Sequence, residues 1–249
     1  FPLYTMLAHL MTWLPFGSPA YMVNLLSAIS SAATVGLVYA TVRRLTKQNG
    51  AAIVAALALA VATTFWAQAT TANVRSLTAF FAALMVYALV RWQENASPKA
   101  TERRFDDRWL ALFALALGLG VTHHASLAFM GLLFGVSVLM VDLPFLWQPK
   151  RWLRPFLALL IGLLPLLYLP LRNPDLRTWD AFINHVLALG FRGDFFYYLQ
   201  PDVFTPAILW QRFRIMGNVM TFQFAPVLLA VMAFGLIRLL GQRRWGLAM

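Results

Sequence analysis

Cysteine is absent from the 249 residues, so neither a disulfide framework nor a Cys-ligated metal site is available, and thiols say nothing about the redox compartment. Charge is scarce as well: 12% of residues are charged, and Asp plus Glu number 9 against 20 Lys plus Arg. A soluble domain carries about 25% charged and roughly 45–50% apolar residues. Here 61% are hydrophobic and the mean hydropathy is +0.69, so the expected class is an all-α integral membrane protein. No basic n-region with a small-residue cleavage site precedes the first apolar run, and the first residue is Phe1; no signal peptide is expected, and the sequence is expected to start mid-protein. No period of about 20–50 residues recurs and no segment is of low complexity. Paired inverted repeats and midplane carboxylates, the marks of a transporter, are also missing.

What is present is a series of apolar runs punctuated by basic clusters. A hydrocarbon core of roughly 30 Å needs about 20 helical residues. Ala20–Val42, Ala51–Ala67, Ser76–Trp92, Trp109–Thr122, Ala125–Leu143, Pro155–Leu171 and Asn218–Leu240 are seven candidate spans. Leu3–Leu14 is shorter, carries His9 and Trp13 and ends at Pro15 and Gly17, which reads as a helix lying at the outer interface within residues 1–17. The expected organisation is one transmembrane domain over 1–249, with an outer loop segment at 172–217.

Basic residues orient the chain. With Val42 at the cytoplasmic side, six cations fall outside: Arg75, Arg172, Arg177, Arg192, Arg212 and Arg214. The other fourteen of the 20 lie inside, the positive-inside pattern. A basic rim beside anionic lipid accounts for the net charge of +11 without a nucleic-acid partner.

All four histidines then lie on the outer side, two of them adjacent in "GVTHHASLAF" (Gly120–Phe129). Trp109–Thr122 makes roughly 21 Å of helix, so its outer end is recessed. The two 17-residue runs at 51–67 and 76–92 are joined by the polar "QATTANVR" (Gln68–Arg75). Non-helical backbone at membrane depth is tolerated where protein or a water-filled cavity satisfies it. A polar hollow opening outward is therefore expected, lined by Gln68, Asn73, Arg75, Thr122, His123 and His124. Adjacent helical residues point about 100° apart, so at most one histidine faces the hollow. Two readings stay open for the pair: imidazoles in the headgroup region, or donors to a phosphate or sugar hydroxyl. A divalent metal cofactor has no support, because neither histidine has an i+3 or i+4 partner or a nearby carboxylate.

The segment from Arg172 to Gly217 mixes arginines and carboxylates with aromatics such as Trp179, Phe196 and Trp210, which reads mainly as an interfacial belt. Arg172 and Arg192 are candidate clamps for an anionic lipid headgroup. No pair of acids is fixed at a working separation.

Successive blocks carry a resemblance. "FPLYTMLAHLMTWLPFG" (Phe1–Gly17), "VNLLSAISSAATVGLVYATVRRLT" (Val23–Thr46), "TFWAQATTANVRSLTAFFAALMVYAL" (Thr64–Leu89), "GLGVTHHASL" (Gly118–Leu127) and "YLPLR…TWDAFINHVLALGFR" (Tyr168–Arg192) resemble, in order, the protein O-mannosyltransferase-like membrane family, also called domain of unknown function 2723 or glycosyltransferase family 117. The resemblance implies a GT-C-like multi-span bundle with about seven transmembrane helices plus the interfacial helix. It also implies transfer of a sugar from a polyprenyl-phosphate donor to a protein or glycan acceptor outside the cytoplasm, in a membrane such as the bacterial plasma membrane. By similarity His123, His124 and Arg172 hold the departing phosphate; Arg75, Gln68 and Asn73 are substrate-binding candidates as lining of the expected hollow. The family's acidic stretch precedes the "FPLY" block, so the catalytic acid is expected upstream of Phe1. Asn73 and Arg75 stand where relatives commonly carry an acid and a tyrosine. A non-catalytic membrane subunit or scaffold, with partner subunits and membrane lipids around it, is the alternative.

Overall fold

The computed structural model describes residues 2–94, 105–186 and 205–241. Among these there are helices and 3-10 turns and no strand: α1 (Pro2–Met11), α2 (Pro19–Thr46), α3 (Asn49–Ala60), α4 (Thr63–Ala69), α5 (Val74–Glu94), α6 (Asp107–His123), α7 (Leu127–Val141), α8 (Pro149–Leu163), α9 (Tyr168–Arg172), α10 (Trp179–Val186) and α11 (Pro206–Gly241). The chain divides into two compact units, Phe1–Leu169 and Pro170–Met249, and each is described by itself.

Local signals set the helix ends of the first unit. Ser18 caps α2, its hydroxyl accepting from Tyr21 N–H, and Pro19 opens the helix, where the missing N–H costs nothing. Lys47 closes α2 in the left-handed region at φ 61°. Asp106 caps α6 by accepting from Arg108 N–H, an arrangement that also suits the helix dipole.

Large apolar residues are exposed while small hydroxyls are buried. The buried residues of α2 are Met22, Leu26, Ser27, Ser30, Ser31, Thr34 and Thr41, while Ile29, Val54, Leu132, Leu133 and Met140 are exposed. The hydroxyls of Ser30, Thr34 and Thr41 donate to carbonyls four residues back, so these three small side chains face neighbouring helices with their polarity satisfied, while the buried Ser31 hydroxyl has no hydrogen-bond partner among the described residues. Leu77, Phe81, Met85, Leu89 and Trp92 of α5 meet Leu110, Phe113 and Ala116 of α6, with Leu3, Leu127 and Val138 completing the core. α6 and α8 meet backbone to backbone: a Cβ built on Gly118 would lie 2.6 Å from Leu159 O, and one on Gly162 2.7 Å from Leu115 O.

The seven-span expectation is not confirmed. Among the described residues three helices are long and apolar enough to cross a membrane, Pro19–Thr46, Val74–Glu94 and Pro149–Arg172, or up to five spans if each of two bent pairs counts as one. The run at 51–67 is not one helix: α3 and α4 meet at 68°. The runs at 109–122 and 125–143 become α6, 17 residues, and α7, 15 residues, both short of a full crossing. Of the run Leu3–Leu14, the part up to Met11 lies in α1, whose Pro2 and Leu3 are buried.

In the second unit, the segment expected as a loop at 172–217 contains the turn Pro174–Arg177, α10 and the start of α11. Arg177 Nε donates to Pro170 O at 3.3 Å, and Asn173 Oδ1 accepts from Asp175 N–H at 3.1 Å. Pro226 interrupts α11, and its two parts form the second bent pair. Arg192 lies outside the described residues.

Candidate functional site

The antiparallel run of α5 and α6 gives the first unit two chemically different ends. At one, the connection from Gln68 to Asn73 meets the end of α6. Asn73 N–H donates to Ser27 Oγ at 3.1 Å, and Asn73 Oδ1 accepts from Arg75 N–H at 2.9 Å. Ser76 Oγ donates to Gln68 O at 2.8 Å. A polar connection is thereby tied to α2 and α5: Thr70 N–H still bonds back to Trp66 O at the end of α4, and beyond it side chains supply the hydrogen bonds of Asn73 and Arg75 N–H.

His123 belongs to this tie. It is 1% exposed, and its Nε2 lies 2.8 Å from Val74 O and 3.0 Å from Thr78 Oγ1. A carbonyl only accepts, so Nε2 carries the proton. Tyr4 of α1 and Phe81 of α5 flank the ring at 6.0 and 6.2 Å between centroids. Its geometry is that of a core histidine joining the start of α5 to the end of α6. Thr122, also buried, donates to Leu119 O within its own helix.

His124 differs. It caps α6 in extended conformation and is half-buried. Its Nδ1 accepts from Ser126 N–H at 3.3 Å and sits 2.8 Å from Ser126 Oγ, which leaves the ring proton on Nε2. Burial first, and the positive charge of Arg75 after it, hold its pKa below the ordinary imidazole value, so the ring is neutral at pH 7. Arg75 is exposed. Gln68 Oε1 and Tyr4 Oη, at the same end, are buried with no hydrogen-bond partner among the described residues.

Gln68, Asn73, Arg75, His123 and His124 are thus gathered at one end of the first unit. Arg172 is exposed at the start of the second. Sequence reasoning missed Ser27, Thr78 and Tyr4, because small hydroxyls on apolar helices give no spacing signal.

It also missed the opposite end. Arg151 Nε and Nη2 donate to Asp107 at 2.6 and 2.8 Å, and Nη1 to Asp142 at 2.7 Å. Trp92 Nε1 adds a bond to Asp107 at 3.3 Å. Positive-inside counting treated Arg151 as rim charge, yet it joins α6, α7 and α8. The described carboxylates of the first unit, Glu94, Asp106, Asp107 and Asp142, bond away from the His124 end: Glu94 to Arg44 and Lys47, Asp106 at the start of α6, and the other two to Arg151. Among the described residues no group of three His, Cys, Asp or Glu comes together as a metal site.

Comparison with known proteins decides the family. The model of the protein O-mannosyl-transferase TMEM260 N-terminal domain matches residues 1–145. The chain belongs to this family. Protein O-mannosyl-transferase TMEM260 of Mus musculus is 31% identical over 202 residues, covering 79% of this chain. The chain spans 28% of that relative's length. The TMEM260 match covers the whole of the Gln68–His124 end, since α1 to α7 all fall within residues 1–145. No solved structure matches. A mouse relative gives no support to a bacterial plasma membrane in particular; the apolar helices support an integral membrane protein.

Proposed function

We propose that the chain is the membrane part of a GT-C-type glycosyltransferase, moving a sugar, mannose by similarity, from a polyprenyl-phosphate donor to a protein acceptor on the extracytoplasmic side. The observation that carries this reading is that the region shared with the O-mannosyl-transferase family holds the polar end built from Gln68, Asn73, Arg75 and His124. In an apolar bundle such a cluster is expensive unless it works on a ligand.

Chemically, an inverting transfer needs a base at the acceptor hydroxyl and cations or donors at the departing phosphate. Arg75 supplies a fixed positive charge, and the Nε2–H of neutral His124 supplies a hydrogen bond without a second buried charge. The carbonyl of Gln68 suits a sugar hydroxyl as donor. His123 acts as a positioning residue, holding the start of α5 under Arg75. Arg172 is proposed, by similarity alone, as a phosphate ligand of the second unit. The base is proposed to come from outside the first unit's described residues, because the carboxylates described there are engaged away from His124.

Sugar transfer by the full-length protein, with a polyprenyl-phosphate mannose donor in detergent, tests the reading. Arg75→Ala and His124→Ala are expected to lower turnover about tenfold or more each, the loss of one charge-assisted hydrogen bond of ~1.5–3 kcal/mol, with unchanged melting. Equal transfer by wild type and both variants would remove this end of the bundle from the chemistry.

A further inference from the structure

At the end away from His124, a groove of about 420 Å³ runs between α6, α7 and α8, within the ~300–1,000 Å³ of small-molecule sites. Its walls are apolar throughout, including Leu110 and Phe113 of α6, Leu139 of α7 and Pro155 of α8. Gly135 keeps it open: a Cβ built there meets nothing within 4 Å. Such a lining offers no hydrogen bond to a polar ligand and suits a hydrocarbon chain.

The charge beside the groove is one-sided. Lys150 and Arg154 stand one turn apart on α8, Arg154 next to the groove-lining Pro155. Both are exposed, and their side chains make no hydrogen bond or ion pair among the described residues. The nearby carboxylates Asp107 and Asp142 are already held by Arg151, whose guanidinium also lies 5.1 Å from the centre of the groove-lining Phe145 ring. An apolar slot beside two available cations matches a ligand with a hydrocarbon tail and an anionic head.

We propose that this groove is a binding site for an anionic phospholipid, one acyl chain lying over Gly135 and the phosphate held by Lys150 and Arg154. A neutral lipid would fill the slot and leave both cations unserved. The site is separate from the His124 end and does not rest on the sugar-transfer reading.

Native mass spectrometry of the full-length protein, titrated with dioleoyl phosphatidic acid and with dioleoyl phosphatidylcholine, tests it. Each basic residue near a headgroup contributes about fivefold, so phosphatidic acid is expected to bind about 25-fold more tightly than phosphatidylcholine. Lys150→Gln with Arg154→Gln is expected to bring the two lipids level. Gly135→Leu, which fills the slot with a side chain, is expected to weaken both at least tenfold without lowering the melting temperature. Gly135→Ala, one methyl in open space, gives a smaller loss in the same direction and keeps the test decisive if Gly135→Leu folds poorly. Equal binding of the two lipids by wild type, or undiminished phosphatidic acid binding in either the charge or the groove variants, overturns the proposal.

Discussion

Replacing Gly162 by Ala tests the crossing of α6 and α8 at its tightest point. The new Cβ would lie 2.7 Å from Leu115 O, 2.8 Å from Leu119 N and 2.9 Å from Gly118 Cα. All three are backbone atoms, which cannot rotate away. Ordinary contact begins near 3.4 Å, so the helices must part by roughly 0.7 Å, a gap that forfeits about a quarter to a half of the dispersion energy of each contact they share. Overpacking of this kind costs about 1–3 kcal/mol, against a gain of at most ~1 kcal/mol from the better helix propensity of Ala. Three backbone contacts between 2.7 and 2.9 Å put the clash in the upper part of that range, about 2–3 kcal/mol, so the net loss is about 1–2 kcal/mol. At ~2–4 °C per kcal/mol for a chain of this size, the thermal midpoint in detergent, followed by tryptophan fluorescence, should fall by ~2–8 °C. Gly36→Ala on α2 is the control, since its Cβ meets nothing within 4 Å; it should leave the midpoint unchanged or raised. A Gly162→Ala midpoint at or above wild type, with Gly36→Ala behaving as stated, would refute the close-approach argument.

Two further outcomes follow from the two ends of the bundle. Arg151→Met leaves the carboxylates of Asp107 and Asp142 facing each other without their cation. Breaking such a pair costs about 3–5 kcal/mol when fully buried, and with the Arg151 side chain 20% exposed the low end applies; a thermal midpoint equal to wild type would contradict this, while adding Asp142→Asn should recover part of the loss. For His124, the folded state holds the pKa below the ordinary value of about 6.5, so the unfolded chain takes up the proton first. Stability is therefore unaffected by this ring above pH ~6.5 and is lost as pH falls below it. Melting temperature measured from pH 7.5 to 5 should decline more steeply in wild type than in His124→Asn, and parallel curves would show that His124 does not titrate as its surroundings require.

The helical class and membrane character were legible from composition, because apolar runs and sparse charge leave few alternatives. The succession of blocks from Phe1 to Arg192 pointed to the O-mannosyltransferase-like family, and the match over residues 1–145 bears that out. Helix caps such as Ser18 and Asp106 are local chemistry readable in a few residues. Span number was not readable in the same way: hydropathy counts apolar residues, but the bend between α3 and α4 and the short lengths of α6 and α7 depend on backbone geometry.

Sequence by itself determined that two adjacent imidazoles stand at a helix end beside a polar connection, since both are fixed by order along the chain. Only the tertiary structure decided how they divide: His123 turns inward to Val74 and Thr78, 49 and 45 residues away, while His124 stays at the turn beside Arg75. The same holds for Arg151, whose charge is plain in the sequence but whose partner Asp107 lies 44 residues back. A residue's own type sets what it can bond; which partner it meets is set by the packing of helices that no local pattern encodes.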